Sequence, residues 1–123
     1  MKNLLYVDDD QSMRALIALV LGKHYLLKLA NDGCVALHAL ESHPFDLVIS
    51  DINMPNMDGL QLLTAIRAHP QYRHLPVLLM SAETDELIKQ QCKQLGATGW
   101  ISKPFNPEKL LKAIEKVLTP PAD

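Results

Sequence analysis

Cysteine is scarce in this chain of 123 residues, and the two present, Cys34 and Cys92, form neither a C-x-x-C pair nor a closely spaced framework. That excludes a disulfide scaffold, and both are expected to be free thiols, small hydrophobes in a reducing compartment. Long apolar runs are missing too. The stretch Leu4-Leu5-Tyr6-Val7 is too short for a signal-peptide core and stops at three acids, and no other run approaches a membrane span. A cytoplasmic location without a membrane partner is the expectation. Nor is there an excess of positive charge: 12 Lys and Arg against 14 Asp and Glu give a formal net charge of -2, with the basic residues scattered. No direct nucleic-acid contact by this segment is expected. His24, His38, His43, His69 and His74 share no metal-ligand spacing on one helix face and none ends a strand-like run, so each reads as a surface residue. Internal repeats and low-complexity segments are absent.

What remains is an ordinary globular composition, 48% hydrophobic and 21% charged. A chain of this size fits one domain and buries roughly two-thirds of the surface its unfolded form exposes. Apolar runs near 3–7, 25–30, 46–50, 76–80 and 98–102 read as strands, each followed by a helical pattern. That alternation is the sequence form of a parallel sheet with helices on both faces. Met13, Leu16, Ile17, Val20 and Leu21 make one apolar stripe for the first helix, with Gly22 suited to its C-terminal cap. The second helix is expected over about 33–42, the third from Asp58-Gly59 to before Pro70, and the fourth, the least apolar, over about 84–95. The fifth has Asn106 as cap and Pro107 in its first turn. The domain is expected over 1–119, with 120–123 a tail or the start of a linker.

The strand-like runs end on chemistry. The first leads into Asp8-Asp9-Asp10, the third into Asp51, the fourth into Ser81 and the fifth into Lys103. In an open parallel sheet, residues at the carboxyl ends of the strands converge on one crevice. Asp8, Asp9 and Asp51 cannot all carry charge there without a counter-ion, and hard oxygen donors suit Mg²⁺. Lys103 would add positive charge for phosphoryl oxygens, Ser81 a hydroxyl donor, and Asp51 the nucleophile of an aspartyl phosphate. Each residue alone has a plainer reading: acids at a helix N-terminus, a turn aspartate, a solvated lysine. Their joint occurrence at successive strand ends outweighs those. A calcium loop starting at Asp51 fails, with Pro55 at the fifth position, Asn56 at the sixth and Leu62 at the twelfth. Asp8-Asp9-Asp10 also resembles the D-x-D start of haloacid-dehalogenase phosphatases, but the chain is short for a complete hydrolase core.

Asp51-Ile52-Asn53-Met54-Pro55-Asn56-Met57-Asp58-Gly59, with Asp8-Asp9, Ser81-Ala82 and Lys103-Pro104-Phe105, resembles the receiver domain of two-component response regulators, especially the chemotaxis type. The resemblance covers essentially the whole chain. It implies a flavodoxin-like, doubly wound five-stranded sheet of order 2-1-3-4-5 with five helices. It further implies that Asp51 accepts a phosphoryl group from the phosphohistidine of a sensor histidine kinase or phosphotransfer protein. By the same resemblance Mg²⁺ is held by Asp9, Asp51 and the backbone carbonyl of Asn53, with Asp8 acting largely through water. Lys103 pairs with the phosphoryl group, Ser81 swings toward it, and Asn53 and Glu83 tune its hydrolysis. A cis Lys103-Pro104 bond is expected on the same ground. Trp100 departs from the Tyr or Phe usual at this switch position, and its indole N–H needs a partner when buried. Asp10 reads as a solvated first-turn residue. The output face is expected over 84–118, for an output protein or self-association. The rivals are a small aspartyl-phosphate phosphatase using Asp8 and a degenerate receiver that binds constitutively. As a switch the chain would be no enzyme beyond its own phosphorylation and dephosphorylation.

Overall fold

The computed structural model describes residues 1–82 and 86–119. Strand and helix alternate throughout: β1 (Asn3–Val7), α1 (Gln11–Leu21), β2 (Leu26–Ala30), α2 (Gly33–Ser42), β3 (Leu47–Asp51), α3 (Gly59–Ala68), β4 (Val77–Ser81), α4 (Glu86–Gln94), β5 (Gly99–Ser102) and α5 (Pro107–Leu118). The five strands pair in parallel in the order β2-β1-β3-β4-β5. This is the parallel sheet expected from the alternation, in the flavodoxin-like order that the resemblance implies, and that order reverses between β1 and β3.

Alternate residues of each strand feed opposite layers. Leu4 and Tyr6 of β1 join Ile49, Met80, Ile17 and Leu21 of α1, and Leu110 and Ile114 of α5. Leu5 and Val7 join Ala36 and Leu40 of α2, Leu62, Leu63 and Ile66 of α3, and Cys92 of α4. The central strands β3 and β4 are buried along their whole length, which is why they read as continuous apolar runs rather than alternating ones.

Capping side chains set the helix starts. Asp10 accepts the N–H groups of Ser12 and Met13, Asp32 that of Val35, and Asn106 those of Glu108 and Lys109. Asp58 and Gln61 form a reciprocal capping box at α3. Asp10 is therefore the cap of α1, outside its first turn, a correction to its reading as a merely solvated first-turn residue. The fourth helix is the least anchored, with Cys92 its one buried residue and Leu87 69% exposed.

Candidate functional site

The ends of β1, β3, β4 and β5 lie side by side, so the crevice is assembled by the sheet itself. Asp51 is the last residue of β3 and Ser81 the last of β4, while Asp8 and Lys103 stand just beyond β1 and β5. Asp8 and Ser81 are buried and Asp51 is 7% exposed. Asp9 is exposed at the rim, and oxygen atoms of Asp8, Asp9 and Asp51 lie within 4.8 Å of one another.

Lys103 reaches this cluster. Its backbone N–H donates to Ser81 O at 3.0 Å, and its Nζ lies 3.3 Å from Asp51 Oδ2 and 3.5 Å from Asp8 Oδ2. The Lys103-Pro104 peptide is cis, as expected. Among the described residues, Asp8 and Asp51 share the Lys103 ammonium while Asp9 adds a third carboxylate to the cluster, and three hard oxygen donors at this spacing fit a divalent cation of the Mg²⁺ type. Burial pushes the Asp51 carboxyl above its ordinary range; Lys103 opposes the rise and Asp8 adds to it. Its Oδ1 meanwhile accepts the Ile52 N–H at 2.9 Å.

The loop after Asp51 depends on a close backbone approach. The Gly59 N–H donates to Ile52 O at 2.8 Å, and a Cβ on Gly59 would sit 2.4 Å from Asp51 O. Asn56 takes φ 67° and donates its side-chain amide to Asp32 Oδ2 at 3.0 Å, tying this loop to the cap of α2. Hydrogen bonds from Val35 N–H and the Asn56 amide hold the Asp32 carboxyl below its ordinary value. Asn53 is exposed in the same loop. Glu83, expected to tune hydrolysis, lies outside the described residues.

Trp100 packs against the layer containing α4, with Lys89 Nζ 5.8 Å from its ring centroid. Its buried indole N–H has no acceptor among the described residues, the situation that the departure from Tyr or Phe foreshadowed.

Sequence reasoning missed Tyr6, treated only as part of an apolar run. The phenol is fully buried and donates to Asp8 Oδ2 at 2.6 Å. The signal was available: residues i and i+2 of a strand share a face, so a tyrosine two before Asp8 points the same way.

Comparison with known proteins agrees with this geometry. Residues 4–115 match the family model described as the response regulator receiver domain. The chain is 40% identical over 123 residues to the chemotaxis protein CheY of Pseudomonas aeruginosa, covering 93% of this chain and 94% of that one. Among solved structures it resembles Vibrio cholerae chemotaxis protein CheY4, at 43% identity and a TM-score of 0.91, covering 96% of this chain and 99% of the other. It shares its fold, at 24% identity and a TM-score of 0.88, with the receiver domain of the sensor histidine kinase PA1611 from Pseudomonas aeruginosa, solved with a magnesium ion in its active-site cleft; the match covers 95% of this chain and 97% of that one. By sequence, fold and the convergence of its acids and lysine, the chain belongs to the response regulator receiver domain family.

Proposed function

We propose that this receiver domain, over residues 1–119, is a phosphorylation-activated switch whose acceptor is Asp51. The observation that carries the reading is the position of Lys103, 3.3 Å from Asp51 Oδ2 at the mouth of an acidic crevice. A carboxylate oxygen of Asp51 attacks the phosphorus of a partner's phosphohistidine. The new O–P bond forms as the N–P bond breaks, and the electron pair leaves on the imidazole, which takes a proton from solvent. Lys103 offers its ammonium to the phosphoryl oxygens and Ser81 its hydroxyl, charge-assisted contacts that strengthen as charge gathers on the transferred group. Asp8, Asp9, Asp51 and the Asn53 carbonyl would hold Mg²⁺, which when bound supplies positive charge against the phosphoryl oxygens. Hydrolysis reverses the bond: water attacks phosphorus, inorganic phosphate departs, and Asp51 is left as carboxylate. Asn53 and Glu83 set the speed of that step.

Asp51 is favoured over Asp8 as nucleophile because Asp8 is fully buried and its Oδ2 is held from beneath by the Tyr6 hydroxyl, whereas Asp51 keeps some exposure, at 7%, with Lys103 beside its Oδ2. Phosphorylation draws Ser81 toward Asp51 and remodels the face of α4, β5 and α5, where an output protein or a second copy binds. Treatment with a small phosphodonor and Mg²⁺ followed by peptide mapping tests this. Label on Asp51 is expected. Turnover through Asp8 would point to a phosphatase, and no label to a constitutive binding module.

A further inference from the structure

Three donors from three directions reach the Asp8 carboxylate. Its Oδ1 accepts the Asp10 N–H at 3.0 Å, and its Oδ2 accepts the Tyr6 hydroxyl at 2.6 Å with Lys103 Nζ at 3.5 Å. Arg14 also donates to its backbone oxygen at 2.7 Å. Tyr6 approaches from below, inside the layer of α1 and α5, and its ring is fixed by complete burial among Leu4, Ile17, Ile49 and Met80. A phenol at 2.6 Å is a short, charge-assisted donor, and Asp8 Oδ2 is therefore shared between a fixed hydroxyl beneath and a lysine that reaches in from β5.

Lys103 faces two carboxylates at nearly equal range, 3.3 Å to Asp51 and 3.5 Å to Asp8. Which one it serves depends on how far each carboxylate is already satisfied. With the Tyr6 hydroxyl on Oδ2, Asp8 attracts Lys103 less. Without it, a buried carboxylate would have an unmet acceptor, and desolvation makes such an acceptor costly to leave unpaired. Lys103 already lies 3.5 Å from that oxygen and would close on Asp8.

We propose that Tyr6 is a positioning residue of the phosphoryl-transfer site: its hydroxyl fixes Asp8 and keeps the Lys103 ammonium available to Asp51 and the incoming phosphoryl group. The proposal rests on the reading of Asp51 as acceptor. Tyr6 touches no reacting atom and acts through Asp8.

The test compares wild type, Tyr6→Phe, Asp8→Ala and the double variant. Phe keeps the ring and removes only the hydroxyl. Labelling of Asp51 at saturating phosphoramidate and Mg²⁺ should slow about tenfold in Tyr6→Phe, the scale of one charge-assisted hydrogen bond. In the Asp8→Ala background the same change should have no further effect, because no carboxylate remains to be positioned. Without metal or phosphodonor, the Lys103 Nζ resonance should shift between wild type and Tyr6→Phe as the ammonium moves toward Asp8. An equal rate in wild type and Tyr6→Phe, an undiminished slowing in the Asp8→Ala background, or an unmoved Lys103 resonance would each overturn the proposal. A wild type that takes no label on Asp51 would instead overturn the acceptor reading beneath it. Should Tyr6→Phe not fold, 3-fluorotyrosine in the unsubstituted protein reads the same contact, with Tyr25→Phe and Tyr72→Phe assigning the signals. The Tyr6 fluorine should respond to Mg²⁺ with the midpoint at which labelling rises, and a silent Tyr6 signal would overturn the proposal.

Discussion

At the scale of single residues, Asp51 carries a charge that its surroundings resist. Its pKa is raised by burial and by Asp8, with Lys103 opposing, so the native protein holds this proton more tightly than the unfolded chain does. A raised carboxyl pKa favours the fold below the unfolded value. That advantage falls away as pH rises through the window up to the folded value, leaving a cost at neutral pH. Asp51→Asn should therefore abolish labelling yet stabilise the metal-free protein at neutral pH, by on the order of 1 kcal/mol, with the gain shrinking on acidification through that window. Thermal melts across pH check this, and a lower midpoint for Asp51→Asn at neutral pH would count against the strain. Asp9, exposed at the rim, is a different case. Mg²⁺ at a hundred times its dissociation constant should stabilise the wild type by about 2.7 kcal/mol, and Asp9→Ala should lose most of that at the same concentration. Equal Mg²⁺-dependent shifts in the two melts would remove Asp9 from the ligand set.

Among the elements, the contrast lies between the loop after β3 and the helix α4. The loop is held by the approach of Gly59 to the backbone of Asp51 and Ile52, atoms that cannot rotate aside. Gly59→Ala should cost about 1–3 kcal/mol in urea unfolding, the usual range for overpacking, and should slow labelling because the shifted backbone carries Asp51. A neutral effect on both would show that the loop can yield. By contrast α4 buries only Cys92, and elements with few buried apolar contacts open at low free energy. Its amides should exchange sooner than those of α3, which buries Leu62, Leu63 and Ile66; matching protection would argue against a soft output face. The sequence made the weakness of α4 readable through its polar residues. It placed the β3 and β4 ends one residue early, because Asp51 and Ser81 look like loop residues yet pair in register with Met80 and Ser102. A polar side chain that completes a strand is indistinguishable by pattern from one that follows it.

For the molecule as a whole, the parallel sheet was legible because strand and helix periods alternate without interruption, and the crevice was legible because each functional strand ends on a polar residue. Asp8, Asp51, Ser81 and Lys103 were all found that way. The support behind them was not. Tyr6 hides in an apolar run, and its hydroxyl acquires meaning only when the strand brings it beneath Asp8. The Asn56 contact with Asp32 joins loops 24 residues apart, a pairing no local pattern announces. The Trp100 N–H left without an acceptor among the described residues is likewise a product of packing. That orphaned group, beside Lys89 on the α4 side of the sheet, makes Trp100 a natural reporter of whether the acidic crevice and the proposed output face are coupled. The most direct test is to bind beryllofluoride with Mg²⁺ at Asp51 and follow Trp100 emission together with the amide resonances. Coupling predicts a change in emission and shifts that extend from the crevice across residues 86–118. Occupancy at Asp51 with Trp100 emission and those amides unchanged would contradict it.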